Sequence, residues 1–218
     1  LGIWQCKSCG FSRPAVVFES RQTVLPGVYN IYNVEAAFLV ARKLGIEEKI
    51  INKAFSHFSP AFGRQEEFVV ASPLRHPEPF ASLEGKLREG SRVKIFLSKN
   101  PTGFNESLRT IRELGAKHLL LVLNDRIPDG RDVSWIWDVD FEEFLNDSIS
   151  VTVSGDRTYD MGLRLKYSNS SKVKIEEDLK KAITASLEKL VEDETLYILP
   201  TYSAMLEVRK VLGGRKIL

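Results

Sequence analysis

His118-Leu119-Leu120-Leu121-Val122-Leu123, followed at once by Asn124-Asp125, is the stretch that decides the fold. Leu119 to Leu123 is an unbroken apolar run, far too short to span a bilayer. It carries no alternation of wet and dry positions, so it reads as a strand buried on both faces. Working outward, Glu67–Ala71, Val93–Leu97, Ile149–Val153, Val173–Ile175 and Leu196–Leu199 read as further strands. Between and after them Glu106–Leu114, Arg157–Tyr167, Glu177–Val191 and Thr201–Leu212 carry helical patterns. Apolar strands separated by amphipathic helices predict an α/β fold with a mostly parallel sheet flanked by helices. Ligands of such folds sit at the carboxyl ends of strands, so the loops after Leu97, Leu123, Val153 and Leu199 are the ones to inspect.

Upstream of this pattern, Asn30–Leu44 places Ile31, Val34, Ala37, Phe38 and Ala41 on one helical stripe, and Gly45 is a stop signal. Glu47–Phe58 reads as a second helix, ended by Ser59-Pro60. Ser72–Gly90 is rich in Pro, charge and Gly and reads as an irregular insertion. Near the start stands Cys6-Lys7-Ser8-Cys9-Gly10, half of a zinc ribbon. A structural zinc site needs a second pair of ligands. The chain's remaining candidates, His57, His76 and His118, are remote in sequence, so metal knuckle and plain turn stand as equal readings.

Composition narrows the function. The chain has 218 residues, 43% of them hydrophobic, enough for a sizeable core. Its 31 Lys and Arg barely exceed its 29 Asp and Glu, which argues against a dedicated nucleic-acid binder. No charged-then-apolar leader opens the chain, and two cysteines do not make a disulfide scaffold. A cytoplasmic protein without a transmembrane segment is expected.

The inspected loops carry polar chemistry. Ser98-Lys99-Asn100-Pro101-Thr102-Gly103-Phe104-Asn105 can hold a phosphate or carboxylate, or be an ordinary turn with Asn105 as the helix cap. The loop after Leu123 has five carboxylates between Asp125 and Asp140, yet it fails the calcium-loop template. With Asp125 first, Ile127 stands third and Ile136 twelfth. Asp129-Gly130 reads as a turn, and a solvated acidic loop is the plain reading for any one aspartate. Asn30 and Asn33, at a helix N-terminus, can cap that helix or reach a nucleotide; Phe62-Gly63-Arg64-Gln65-Glu66 adds an arginine before a strand.

Taken together these segments resemble a known family. GVYNIYNVEAA (27–37) followed by FGRQEE (62–67) is similar to the junction between the central and C-terminal domains of Mur ligases. CKSCGFSRP (6–14), SKNPTGFNESL (98–108), LNDRIPDGRDVSWIWDVDFE (123–142), SGDRTYDMGLRLKY (154–167) and LPTYSAMLEVR (199–209) resemble the MurT-type members, synthetase subunits of lipid II isoglutaminyl synthase. The resemblance implies a Rossmann-like C-terminal domain at 59–218, the helical end of a central domain at 28–58, and a remnant of zinc ribbon and central domain at 1–27. It implies ATP, Mg and Zn as cofactors, with Cys6 and Cys9 as metal ligands and Asn33, Arg64, Lys99 and Asn100 as nucleotide contacts. It also implies a GatD-like glutaminase partner, which supplies ammonia from glutamine, and lipid II as the substrate, whose D-glutamate α-carboxylate is amidated to D-isoglutamine. Asp132 matches the aspartate lent to the glutaminase's Cys–His pair. No GxxxxGK[ST] loop is present, so a truncated or split ligase, inactive by itself toward ATP, is expected. The competing expectation is a non-catalytic module that docks and activates a class I glutaminase.

Overall fold

The computed structural model describes residues 4–15, 24–60, 62–71, 90–168, 173–191 and 193–213. The chain divides into two compact units, Leu1–Phe58 and Ser59–Leu218. The expected irregular insertion lies outside the described residues as far as 89; Gly90 itself opens a strand.

In the first unit a short hairpin turn carries Cys6 and Cys9. Gln5 bridges Ser12, Cys6 N–H donates to the Phe11 carbonyl at 2.7 Å, and Trp4 packs on Phe11 with ring centroids 5.4 Å apart. Two helices follow, α1 (Val28–Lys43) and α2 (Glu48–Ser56). The helix α1 starts two residues before the expected Asn30 and has no side-chain cap; the buried Asn30 instead donates from Nδ2 to the Pro26 carbonyl at 2.6 Å.

The second unit is a six-stranded sheet in the order β1-β2-β6-β3-β4-β5. Its strands are β1 (Arg64–Ala71), β2 (Gly90–Phe96), β3 (His118–Val122), β4 (Ser150–Ser154), β5 (Val173–Ile175) and β6 (Thr195–Pro200). Only the β1–β2 pair is antiparallel; the other four pairings are parallel. The connecting helices are α3 (Pro101–Glu113), α4 (Phe141–Phe144), α5 (Thr158–Tyr167), α6 (Leu179–Leu187) and α7 (Tyr202–Gly213), with a 3-10 turn at Ser134–Asp138.

Successive side chains of β3 serve opposite faces, as the pleat requires. Leu119, Leu121 and Leu123 join a core with Phe104, Leu108, Phe141, Phe144 and Leu165, beneath α3, α4 and α5. Leu120 and Val122 join Ile183, Leu187, Met205 and Val208, beneath α6 and α7. The unbroken apolar run is thus explained by burial on both sides.

Two helix starts differ from the expectation for a polar reason. Helix α3 begins at Pro101, not Glu106, because Asn100 Oδ1 accepts the Gly103 N–H at 2.8 Å and proline suits the first helical position. Asn105 is therefore not the cap; it sits inside the helix and exchanges hydrogen bonds with Asp140. Helix α6 starts only after Asp178, which accepts the Lys181 N–H at 2.9 Å, and so is shorter than Glu177–Val191. The acidic loop is also more structured than its sequence suggests, holding both the 3-10 turn and α4.

Candidate functional site

Adjacent strands β6 and β3 send their outgoing connections to opposite sides, β6 into α7 and β3 toward β4, which places a topological switch point between them. A polar network closes that point. Asn124, buried, donates its backbone N–H to Thr201 Oγ1 at 3.0 Å and its Nδ2 to Ser203 Oγ at 3.1 Å, and its Oδ1 accepts the Asp156 N–H at 2.9 Å. Arg126 spans Asp156 and Glu207, with its Nε 2.8 Å from Asp156 and Nη1 2.6 Å from Glu207. These two carboxylates, Asp156 foremost, raise the guanidinium's pKa above its ordinary value.

Asp129 belongs to this network. Its Oδ1 accepts the Ser203 N–H at 2.8 Å and its Oδ2 the Ser203 hydroxyl, so it satisfies an orphan donor in the first turn of α7. The reading of Asp129 as only a turn residue is corrected: it ties the β3 loop to a helix 74 residues away. We expect Asp129→Ala to cost about 1–2 kcal/mol of stability in urea denaturation, as other lost caps do. The exposed Asp138→Ala should stay within roughly 0.5 kcal/mol. Equal losses for the two would show that Asp129 caps nothing of consequence.

Beyond the switch point the same loop carries Asp132. Its carboxylate is exposed, and Oδ1 accepts the Ser134 N–H at 2.8 Å. Hydrogen bonds from the Ser134 side chain, then from its backbone, hold the carboxyl below its ordinary value, so it is a carboxylate at neutral pH. Asp132 borders a cavity of about 280 Å³ whose wall includes Ser134, Trp137, Arg157, Asp160 and Leu163. Arg157 pairs with Asp160 at 2.9 Å and with Asp125 at 3.4 Å.

Behind this wall lies Arg164, 4% exposed. Its Nη2 donates to the Val139 carbonyl at 2.6 Å and its Nε to the Ile136 carbonyl at 3.2 Å. Glu142 completes a two-pronged ion pair with it, at 2.6 and 2.8 Å, and the guanidinium lies over the rings of Phe141 and Trp137. This hydrogen-bonded pairing holds the Glu142 carboxyl below its ordinary value of 4.5. A depressed carboxyl contributes stability above its unfolded pKa and loses it as pH falls through the folded value. Acidification below about pH 4.5 should therefore lower the unfolding midpoint, and Glu142→Gln should flatten that slope. An unchanged slope in the variant would assign the acid sensitivity to other groups.

The remaining sequence candidates fall in several places. Asn33 is exposed on α1 of the first unit. Arg64, exposed, opens β1 opposite Phe96, and the Gly63 carbonyl accepts the Leu97 N–H at 2.9 Å. Arg64 and the exposed Lys99 thus share one corner of the sheet, where Asn100 commits its side-chain oxygen to capping α3. None of these four residues is among those lining the cavity at Asp132. Cys6 and Cys9 are exposed and unbridged, and the Cys6 thiol is pulled below its ordinary value by backbone hydrogen bonds from Cys9 and Ser8. Among the described residues no group of three or more His, Cys, Asp and Glu gathers that could hold a metal ion. Sequence reasoning missed Arg157, Arg164 and the Asn124 network. Gly155, at a strand end in Ser154-Gly155-Asp156-Arg157, was the one local signal for that edge.

Residues 97–205, half of the chain, match the model of the MurT ligase C-terminal family. The chain belongs to that family. It is 31% identical to the lipid II isoglutaminyl synthase (glutamine-hydrolyzing) subunit MurT of Streptococcus pneumoniae (strain ATCC BAA-255 / R6), over all of this chain and 49% of that protein. It is also 31% identical to the MurT subunit of Staphylococcus aureus (strain COL), over 86% of this chain and 43% of that one. The chain thus spans about half the length of the MurT relatives it matches. A pseudomurein peptide ligase type C from Methanothermus fervidus shares the fold, with a TM-score of 0.62 at 19% identity, over 98% of this chain and 45% of that one. The MurT match covers the strand-end loops after β2, β3, β4 and β6 and so includes Asp132, Arg157 and Arg164.

Proposed function

We propose that this chain is the C-terminal part of a MurT-type synthetase subunit in an ATP-dependent, glutamine-hydrolysing amidotransferase of peptidoglycan synthesis. In this reading a GatD-like glutaminase frees ammonia from glutamine. The synthetase transfers the γ-phosphoryl group of ATP to the D-glutamate α-carboxylate of lipid II, and ammonia displaces phosphate from the acyl phosphate to leave D-isoglutamine. The observation that carries it is the exposed carboxylate of Asp132, bordering a cavity and oriented by the Ser134 N–H, in a segment matched to MurT.

A Cys–His pair needs a third group that accepts the imidazole Nδ1–H, keeps Nε2 ready for the cysteine proton and stabilises the imidazolium. Asp132 is suited to lend that group across an interface, since Ser134 orients its carboxylate without neutralising it. The corner bearing Arg64 and Lys99 presents two cations to nucleotide phosphate, with Asn100 as a further contact; bound Mg would offset phosphate charge. Cys6 and Cys9 would furnish one pair of ligands to a structural zinc, the rest of the ribbon and central domain coming from outside residues 1–58. Among the described residues no helix is long and apolar enough to cross a membrane, and this reading puts the work in the cytoplasm.

A second reading, a docking module that only activates the glutaminase, draws on the absence of Arg64, Lys99 and Asn100 from the residues lining the cavity. One experiment distinguishes them. The full-length protein is mixed with the glutaminase, and glutamate release and ATP-dependent amidation of lipid II are both followed. Stimulated glutamate release with amidation supports the synthetase; stimulation with no ATP turnover supports the module; no stimulation overturns both.

A further inference from the structure

The Asp132 carboxylate has to hold one direction if it is to serve another protein's histidine, yet it is exposed on a loop and held there by the Ser134 N–H. What fixes that loop is downstream of it. Val133, Ile136 and Val139 are buried, and the Ile136 N–H donates to the Val133 carbonyl at 3.1 Å, so residues 133–139 form one stiff turn. The Ile136 carbonyl accepts the Val139 N–H at 3.3 Å and the Val139 carbonyl the Phe141 N–H at 2.9 Å, the turn's own backbone bonds. Arg164, from a different helix, adds a second and charged donor to each of these two carbonyls, while its guanidinium backs the ring of Trp137 at 5.5 Å. A cation this deeply buried requires compensation, and Glu142 supplies it. A planar fork with fixed donor directions can serve two carbonyls and a carboxylate together; an ammonium cannot.

We propose that Arg164 is the positioning residue for Asp132, locking the 3-10 turn so that the carboxylate keeps the orientation the glutaminase needs. This rests on the proposed role of Asp132. The mechanism contains no contact between Arg164 and glutamine, so its effect is expected in kcat and not in KM.

The test uses the full-length protein in complex with the glutaminase, with complex formation confirmed by gel filtration. Arg164→Lys should lower kcat for glutamine hydrolysis about tenfold with KM unchanged, the scale of loss caused by slight misplacement of a catalytic group. Glu142→Gln, a change at a half-exposed position, should lower kcat about threefold by loosening the same lock. Neither substitution should reduce activity further when combined with Asp132→Asn, because both act through that carboxylate. Losses that multiply in the double variants, or full kcat in a folded complex, would overturn the proposal. If the Arg164→Lys complex does not assemble, Glu142→Gln decides alone, by the same two criteria. If Asp132→Asn itself is without effect in an intact complex, the proposed role of Asp132 fails first, a result distinct from failure at Arg164.

Discussion

Asp132→Asn in the full-length protein, assembled with its glutaminase, is expected to lower glutamate release on the order of 10²-fold. Asparagine keeps the shape and one acceptor oxygen, so the hydrogen bond from the Ser134 N–H survives. What it loses is the charge, and it can turn an N–H₂ toward the imidazole where an acceptor is required. The histidine then settles in the wrong tautomer and its protonated form is no longer stabilised. In serine proteases the same change costs about 10⁴-fold; a thiol is the stronger nucleophile and ionises more readily, hence the smaller figure. Asp138→Asn is the proper control, being exposed and six residues along the same segment. Asp129→Asn is not, because that carboxylate is engaged with Ser203. Unchanged glutamate release from a correctly assembled Asp132→Asn complex would reduce Asp132 to an acidic loop residue.

Gly155→Ala is expected to destabilise the second unit by about 3 kcal/mol or more, combining backbone strain with steric conflict. Gly155 has φ +104°, in the half of conformational space that side-chain-bearing residues avoid. A Cβ there would lie 2.6 Å from the Leu123 carbonyl oxygen and 2.8 Å from Asn124 Oδ1. Neither atom can retreat cheaply. The Leu123 carbonyl accepts the Arg157 N–H at 2.9 Å, and Asn124 Oδ1 accepts the Asp156 N–H at 2.9 Å. Pushing them aside would unpair buried groups on both sides of the β3–β4 edge, including those that seat Arg157 in the cavity wall. Gly130→Ala and Gly115→Ala test the steric part, since both have positive φ but open space around the added carbon. They should cost about 1 kcal/mol each. Urea denaturation followed by tryptophan fluorescence measures all three, as Trp135 and Trp137 report on the second unit. A Gly155→Ala loss no larger than that of Gly130→Ala would show that the two contacts are easily relieved.

Much of the second unit was legible because its signals are local. The run Leu119–Leu123 announced a strand buried on both faces, and β5 (Val173–Ile175) is found as expected. Helices α5 and α7 are displaced by a residue, a matter of where capping bonds close. The loop after β3 was expected at the strand end where it is found, but not the 3-10 turn inside it. Helix α3 was misplaced for want of one decision between two asparagines. Asn100 and Asn105 both precede plausible helical residues, and only the backbone path shows that Asn100 reaches the Gly103 N–H.

The sequence by itself determined that the central apolar strand is buried on both faces, the alternation of strands and helices, and, through its motifs, the family to which the chain belongs. Tertiary structure alone decided who meets whom. Periodicity states that β6 is apolar, but not that it inserts between β2 and β3 and so creates the switch point. Asp129 looks like a turn residue until α7 arrives with an unsatisfied N–H, and Arg164 looks like a surface charge on an amphipathic helix until the Ile136 and Val139 carbonyls face it. The physical reason is common to all three. A hydrophobic residue needs only to leave water, which its own neighbourhood in sequence can specify, whereas a buried polar group needs a partner at hydrogen-bond distance and direction, which only the folded chain can bring.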